Sequence, residues 1–132
     1  MGNKTYHILV VDDDLYLTGM LKEILDTEGY AVTVVMDGKN ALDACAQSQP
    51  DLVLLDIKLA DLDGFEVLRK IREKSNIPVI MLTGVQDVES LAQSMQIGAD
   101  DYIRKPFLIR ELLARIKAKL RFVYGYRPDP PQ

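Results

Sequence analysis

Carboxylates stand at the ends of two apolar runs in this chain of 132 residues. Residues 12–14 are all Asp and directly follow one apolar run, and Asp56 directly follows another. Crowded carboxylates repel one another, and they stay ionised together only where a cation joins them. Oxygen donors of this kind are the ligands of a hard divalent cation such as Mg²⁺. If both runs are strands that end at the same edge of a sheet, their acids predict a divalent-metal site.

Two further apolar runs end in polar residues of complementary chemistry. Thr83 follows residues 79–82, and Lys105 follows residues 102–104. A hydroxyl can donate a hydrogen bond to a phosphoryl oxygen, and a lysine ammonium can neutralise such an oxygen as a point charge. Acids, a hydroxyl and a cation at four strand ends together indicate phosphoryl transfer.

The elements that must position these residues alternate between strand and helix. Apolar runs predict five strands, at residues 6–11, 31–35, 52–55, 79–82 and 101–104. Apolar residues at helical spacing predict five helices, around residues 17–25, 41–45, 65–71, 87–96 and 108–120. This alternation favours an α/β fold with a single doubly wound, five-stranded parallel sheet. The order 2-1-3-4-5 makes strands 1 and 3 neighbours and puts the ligand site at their carboxyl ends.

Composition limits the classes of function. The net charge of −4 argues against direct nucleic-acid binding by this segment, because duplex-binding domains are usually basic. The single cysteine, Cys45, allows no intrachain disulfide, which suits a reducing compartment. The first residues lack the apolar segment of a signal peptide, and no apolar stretch approaches the length of a membrane span. We therefore expect a cytoplasmic protein without a membrane segment.

Five motifs at consistent spacing resemble those of the response-regulator receiver domain of two-component signalling. In chain order they are ILVVDDD at 8–14, LLD at 54–56, DG at 63–64, MLTG at 81–84 and GADDYIRKPF at 98–107. The resemblance implies a flavodoxin-like (βα)5 sandwich, and since that family has the order 2-1-3-4-5, the strand order is not an independent deduction. It further implies a receiver domain over residues 1–121, and a C-terminal tail or the start of a linker to an effector domain over residues 122–132.

The resemblance also implies a role for each residue of the candidate site. Asp56 would accept a phosphoryl group from a phosphohistidine of a sensor histidine kinase. Asp13, Asp56 and the backbone carbonyl of Lys58 would bind Mg²⁺ directly, and Asp12 would act mostly through a bound water. Lys105 would pair with the phosphoryl group. Such a protein is not an enzyme with a diffusible substrate, since it catalyses only its own phosphorylation and dephosphorylation.

A conformational switch is part of the same resemblance. Thr83 would donate its hydroxyl to a phosphoryl oxygen once Asp56 is modified, and Tyr102 would turn inward as Thr83 moves. The surface of the fourth helix, fifth strand and fifth helix would then report which of two states is populated. The peptide bond between Lys105 and Pro106 would be cis.

The last helix resembles that of the OmpR/PhoB-type winged-helix transcription regulators, so the expected output is control of a DNA-binding effector. Receivers of that subfamily dimerise through the fourth helix, fifth strand and fifth helix when phosphorylated. Asp101 and Arg115 match one expected intermolecular ion pair, and Glu111 lies on the same face. Leu91 and Gln96 replace the charged residues of the other two pairs. We therefore expect a weakened homodimer, in which an exposed Leu91 could supply apolar contact.

Two departures from the family pattern lie near the candidate site. Ala60 stands where the family usually has Pro, which predicts a looser loop after Asp56. Lys58 and Val85 stand at positions that tune the lifetime of the acyl phosphate, and since neither orients an attacking water, we expect slow loss of phosphate.

Three other functions fit parts of the pattern. A haloacid-dehalogenase-type phosphatase would need a second acid where Lys58 stands. A flavodoxin-like carrier of FMN would need a phosphate-binding loop after the first strand, where residues 12–14 would repel phosphate instead. The alternative that the sequence leaves open is a stand-alone receiver or pseudo-receiver, which binds partners without an output domain.

Overall fold

Strands and helices alternate along residues 4–84 and 88–125, the part of the chain that the computed structural model describes. Val85, Asp87 and residues 126–132 lie outside the described residues. The strands are β1 (His7–Val11), β2 (Ala31–Val35), β3 (Leu52–Asp56), β4 (Val79–Thr83) and β5 (Asp101–Arg104). The helices are α1 (Leu15–Thr27), α2 (Gly38–Ser48), α3 (Gly64–Lys74), α4 (Val88–Ile97) and α5 (Ile109–Tyr124).

The five strands form one parallel sheet in the order β2-β1-β3-β4-β5, which confirms the predicted fold and strand order. The register of β1 against β3 places Val11 opposite Leu55. The residues that follow this pair are Asp12 and Asp56, so the two acids leave the sheet at the same level of its carboxyl edge. The edge is therefore built by the register of the strands rather than by any loop.

The sheet is covered on both faces, which explains the continuous apolar runs. Ile8 and Val10 of β1 belong to one buried cluster with residues of α1 and α5. Leu9 and Val11 belong to a second cluster with residues of α2 and α3. Because side chains alternate between the faces of a strand, β1 contributes to both clusters.

Aspartates begin three of the helices. The carboxylate of Asp14 accepts a hydrogen bond from the N–H of Leu17 at 3.1 Å, and Asp37 accepts one from Asn40 at 2.8 Å. Asp63 likewise accepts a hydrogen bond at 2.8 Å, from the first turn of α3. Each carboxylate satisfies an amide that the helix leaves without an internal partner. Asp14 thus has a structural role that separates it from its two neighbours in the acidic run.

The last helix is longer than the sequence predicts. It continues past Leu120 to Tyr124, so residues 122–124 are helical although we expected them to belong to the tail. The hydroxyl of Tyr124 donates to the carbonyl oxygen of Asp51 at 2.9 Å, and its ring lies 5.6 Å from the ring of Tyr6 between centroids. These distant partners stabilise the extra turn, and Gly125 then ends the helix with a φ of 73°.

The exposure expected for Leu91 is wrong. Its side chain is only 6% exposed and points into the protein from α4. It therefore cannot supply an apolar contact to a second copy of the chain.

Among the described residues, no helix combines the length and the apolar composition that crossing a membrane requires.

Gly64 lies where the loop after Asp56 turns back against β3. Its N–H donates to the carbonyl oxygen of Ile57 at 2.7 Å. A Cβ at this position would meet the carbonyl oxygen of Asp56 and would lie 2.7 Å from both the Cα and the carbonyl oxygen of Ile57. These neighbours are backbone atoms of a buried strand end, so they cannot move aside without displacing Asp56.

Replacing Gly64 with Ala should destabilise the fold by about 2–3 kcal/mol, as overpacking of a rigid site does. Gly19→Ala is the matched control, because Gly19 lies within α1 with nothing within 4 Å of a Cβ there. That change should stabilise the protein by about 0.5–1 kcal/mol through helix propensity. Urea denaturation followed by circular dichroism measures both. Equal midpoints for the Gly64→Ala variant and the parent would contradict the steric argument.

Candidate functional site

Three carboxylates converge at the carboxyl ends of β1 and β3. One oxygen from each of Asp12, Asp13 and Asp56 lies within 4.8 Å of the other two. Asp12 is fully buried and Asp56 is 7% exposed, whereas Asp13 is open to solvent. A set of closely spaced oxygen donors with one exposed member fits a hard divalent cation that keeps several waters. The cluster could therefore hold a metal ion.

Lys105 brings positive charge to this cluster from the far side of β4. Its Nζ donates to Oδ2 of Asp12 at 2.7 Å and lies 3.6 Å from Oδ2 of Asp56. Its backbone N–H donates to the carbonyl oxygen of Thr83 at 2.6 Å, which ties the ends of β4 and β5 together. The peptide bond between Lys105 and Pro106, for which we expected a cis geometry, is cis. Residues 93 positions apart in the chain thus meet in one pocket.

The pKa of Asp56 is raised from 3.8 to about 6, and burial of the carboxyl is the main cause. The ammonium of Lys105 opposes this effect, and the charges of Asp12 and Asp13 add to it. A hydrogen bond of 3.3 Å from the N–H of Lys58 also favours the ionised form. In the described part of the cluster, three carboxylates therefore share one ammonium, an excess of negative charge that a divalent cation would relieve.

The loop after Asp56 carries Lys58, whose carbonyl was expected to be a metal ligand. The side chain of Lys58 is exposed to solvent, and the backbone of Lys58 pairs with that of Asp63 in an isolated β-bridge. Because the N–H of Lys58 contacts the carboxylate of Asp56, the peptide unit lies next to the acidic cluster. The backbone of Lys58, and not its side chain, therefore borders the acidic cluster.

The chain matches the family model described as "Response regulator receiver domain" over residues 8–117. It belongs to that family. The chain is 45% identical over 121 residues to the DNA-binding response regulator MtrA of Mycobacterium tuberculosis, covering 92% of this chain and 53% of the relative. It is 46% identical over 114 residues to MtrA of Mycobacterium leprae, with coverages of 86% and 51%. The chain thus spans about half the length of these curated relatives.

Solved receiver structures agree in fold. The CheY-like receiver domain protein of Methanospirillum hungatei has a TM-score of 0.86 at 38% identity, covering 90% of this chain and 96% of that one. The BeF3-activated receiver domain of Klebsiella pneumoniae RstA has a TM-score of 0.84 at 34% identity, with coverages of 87% and 98%. The flavodoxin-like architecture is therefore shared with receivers of several organisms.

The two residues expected to act as a switch in this receiver lie on neighbouring strands. Thr83 ends β4 and is buried, and its hydroxyl donates to the carbonyl oxygen of Gly84 at 3.0 Å. Tyr102 lies on β5 opposite Met81, and its half-buried ring packs against the cluster on the α2–α3 face of the sheet. Tyr102 is therefore paired with Met81, which lies two residues before Thr83 on β4.

The residues expected on a dimer face are paired within the chain. One guanidinium nitrogen of Arg115 donates to both carboxylate oxygens of Asp101, at 2.8 and 2.9 Å. Its Nε lies 3.6 Å from a carboxylate oxygen of Glu111, one turn away on α5. The three residues thus form one partly exposed charge cluster on the receiver.

Asp61 has a role that sequence reasoning did not find. Its carboxylate accepts hydrogen bonds from the backbone N–H groups of Gly38 and Lys39, at 2.8 and 3.1 Å. The available signal was an acid in a polar loop beside Ala60, where the family usually has Pro. That signal gives no partner, because the partners lie 23 and 22 residues earlier in the chain.

Asp56→Asn should stabilise the receiver at neutral pH in buffer without divalent cations. Folding raises the pKa of Asp56, so the folded state loses stability as pH rises from 3.8 through about 6, where the buried carboxyl ionises. A pKa near 6 instead of 3.8 corresponds to about 3 kcal/mol, at about 1.4 kcal/mol per pKa unit. Since neighbouring acids share the excess charge, we expect a gain of about 1–3 kcal/mol at pH 8.

The gain should disappear below pH 3.8, where Asp56 is protonated in both the folded and the unfolded chain. Urea denaturation at a series of pH values measures the difference between the variant and the parent. Asp14→Asn is the control, since it neutralises an exposed acid of the same run and Asn also caps helices well. A difference between Asp56→Asn and the parent that does not vary with pH would refute the charge argument.

Proposed function

We propose that this chain is a phosphoacceptor signalling module, which takes a phosphoryl group from a phosphohistidine of a sensor histidine kinase onto Asp56. The observation that supports this most directly is the position of Asp56, buried at the end of β3 with Nζ of Lys105 at 3.6 Å. Two further acids lie within 4.8 Å, so the site combines a nucleophile, a cation and a potential metal cluster. The chain would catalyse its own phosphorylation and dephosphorylation, with no diffusible substrate to turn over.

In the proposed transfer, a carboxylate oxygen of Asp56 attacks the phosphorus atom of the phosphohistidine. A P–O bond forms, the P–N bond breaks, and its electron pair stays on the imidazole nitrogen, which leaves. The product on Asp56 is an acyl phosphate. Water later attacks the phosphorus, the P–O bond to Asp56 breaks, and inorganic phosphate leaves with the carboxylate regenerated. The attack needs the ionised form, and a pKa of about 6 leaves Asp56 ionised at neutral pH.

Asp13, Asp56 and the backbone carbonyl of Lys58 would hold Mg²⁺, and Asp12 would act through a bound water. When bound, Mg²⁺ would neutralise the acids and then the phosphoryl oxygens in the transition state. The fit rests on the all-oxygen donor set and on its excess negative charge. Asp12 also accepts a hydrogen bond from the N–H of Asp14 at 3.0 Å, which orients its carboxylate within the cluster.

Lys105 and Thr83 would stabilise the phosphorylated state. Lys105 would exchange its contact with Asp12 for one with a phosphoryl oxygen. Thr83 would turn its hydroxyl away from the carbonyl of Gly84 and donate to a second phosphoryl oxygen. Tyr102 would follow on the neighbouring strand, so that the surface of α4, β5 and α5 changes. Phosphate contacts then favour one of two states, and the surface reports which is populated.

We propose that the full protein regulates transcription through a DNA-binding effector domain. The curated relatives are named DNA-binding response regulators, and this chain spans about half their length. The net charge of −4 fits a segment that leaves nucleic-acid contact to another domain. In this proposal the receiver domain, placed at residues 1–121 from the sequence, extends to the end of α5 at Tyr124, and the linker follows it.

Incubation with acetyl phosphate and Mg²⁺ should add the mass of one phosphoryl group to the chain, as measured by intact-protein mass spectrometry. Asp56→Asn should abolish this gain, because the amide is not a nucleophile toward phosphorus. Lys105→Met should slow it by about tenfold or more, whereas Lys22→Met, at an exposed ion pair on α1, should not. If the parent gains no mass, the chain is better described as a pseudo-receiver that binds partners without phosphorylation.

Beryllofluoride with Mg²⁺, which mimics the phosphoryl group, should promote a homodimer through α4, β5 and α5. Exposed ion pairs contribute roughly 0–1 kcal/mol each, so Asp101→Ala should raise the dimer dissociation constant by about fivefold at most. Lys22→Ala removes a more exposed ion pair, on α1 and away from the proposed dimer face, and should leave the constant unchanged. Sedimentation equilibrium measures all three chains. An unchanged mass on addition of beryllofluoride would show that the chain stays monomeric.

A further inference from the structure

Asp61 fastens the loop between β3 and α3 to the beginning of α2. Its two carboxylate oxygens accept from Gly38 at 2.8 Å and from Lys39 at 3.1 Å. Asp37, the residue before the helix, accepts from Asn40 at 2.8 Å. Two carboxylates from different parts of the chain thus share the free amides at one helix terminus. The bond from Gly38 is also the main reason why the pKa of Asp61 lies below its usual value.

The loop lies directly on the helix at this point. A Cβ on Gly38 would be 2.8 Å from Cβ of Leu62 and 2.8 Å from Cγ2 of Val67. The backbone of α2 and the loop can approach this closely only because residue 38 has no side chain. The hydrogen bonds of Asp61 and the packing of Leu62 therefore hold one end of the loop.

The other end of the loop is held at the acidic cluster. The N–H of Lys58 contacts the carboxylate of Asp56 at 3.3 Å, and Lys58 forms a β-bridge with Asp63. The N–H of Gly64 closes the loop onto the carbonyl oxygen of Ile57 at 2.7 Å. The segment from 58 to 63 is thus a short closed turn, and Asp61 supplies the side-chain hydrogen bonds that attach it to α2 beside the packing of Leu62.

Ala60 adds a reason for this attachment. A Pro at that position would fix the backbone φ and lower the number of conformations open to the loop before it is held in place. Ala gives no such restriction, so the loop needs contacts to hold its conformation. The expectation of a looser loop did not include the two hydrogen bonds of Asp61.

We propose that Asp61 is a positioning residue for the metal site, which fixes the Lys58 carbonyl toward the cation by anchoring its loop to α2. This inference rests on the proposed function, because the carbonyl is a ligand only if the acidic cluster binds Mg²⁺. Asp61 does not touch the cation itself. It acts on the one ligand that comes from backbone, while the carboxylates of Asp12, Asp13 and Asp56 keep their places on the strand ends.

The test compares Asp61→Ala with Asp37→Ala by isothermal titration of Mg²⁺ into the 132-residue chain. Both variants remove carboxylate caps from α2, and both should lower its thermal stability. Only Asp61→Ala also releases the loop, so only this variant should weaken Mg²⁺ binding, by roughly tenfold, as removal of a group that orients a ligand does. Asp37→Ala should bind Mg²⁺ as the parent does, within about twofold.

Two further measurements keep the result independent of folding defects. Asp61→Asn retains one side-chain oxygen acceptor, so its Mg²⁺ dissociation constant should lie between those of the parent and Asp61→Ala. In the parent, Mg²⁺ should slow hydrogen exchange at the amides of Gly38 and Lys39, because coupling between two sites is reciprocal. Asp61→Asn also serves as the decisive variant if Asp61→Ala does not fold.

The outcomes separate the two proposals. A parent chain that takes up no Mg²⁺ would overturn the proposed metal site, and the positioning role with it. A parent that binds Mg²⁺, together with Asp61 variants that bind it as tightly as Asp37→Ala, would overturn the positioning role alone. Tenfold weaker binding specific to the Asp61→Ala variant supports both.

Discussion

The carboxyl edge of the sheet holds carboxylates out of water, and the positive charge next to them is smaller than the negative charge they carry. Asp12 is fully buried and Asp56 nearly so, and among the described residues Lys105 is the cation that contacts both. Water would solvate these groups better, so their arrangement costs stability, and the favourable packing of the rest of the fold must offset that cost. The same cost makes the site useful, because any ligand that supplies positive charge, or any reaction that disperses the negative charge, is favoured there.

The rest of the architecture enforces this arrangement. Parallel strands end at one edge, and the register of β1 against β3 brings Asp12 and Asp56 to the same level. Both faces of the sheet are packed, so the strand ends cannot separate to relieve repulsion without opening the core. Gly64 adds a local constraint, since the loop after Asp56 turns back in backbone contact with the strand. A site of like charges thus depends on a scaffold that leaves them no room to move apart.

The sequence predicts the parts of this structure that depend on local pattern. Buried strands are continuous apolar runs, and polar residues at their ends must meet if the sheet is parallel, so the cluster followed from spacing. What could not be predicted depends on contacts between distant segments. The extra turn of α5 is stabilised by Asp51, 73 residues from Tyr124, and Asp61 bonds to Gly38 across 23 residues. The prediction that Leu91 is exposed failed for a similar reason, since the rotation of a short helix with an irregular apolar stripe is set by the elements it packs against, here α3 among them.

The ion pair of Asp101 with Arg115 bears on how a phosphorylated receiver could dimerise. Within one chain, Arg115 already contacts both carboxylate oxygens of Asp101. An intermolecular pair between the same residues would replace this contact rather than add to it, so its net contribution lies within the roughly 0–1 kcal/mol of an exposed pair. The free energy for the proposed dimer must then come from a change in the surface itself. The hydrogen bond from the N–H of Lys105 to the carbonyl of Thr83 offers a route. It joins Thr83 of β4, which would meet the phosphate, to the end of β5, the strand that carries Tyr102. Charge at the acidic edge and shape at the α4–β5–α5 surface are thereby linked through two neighbouring strands.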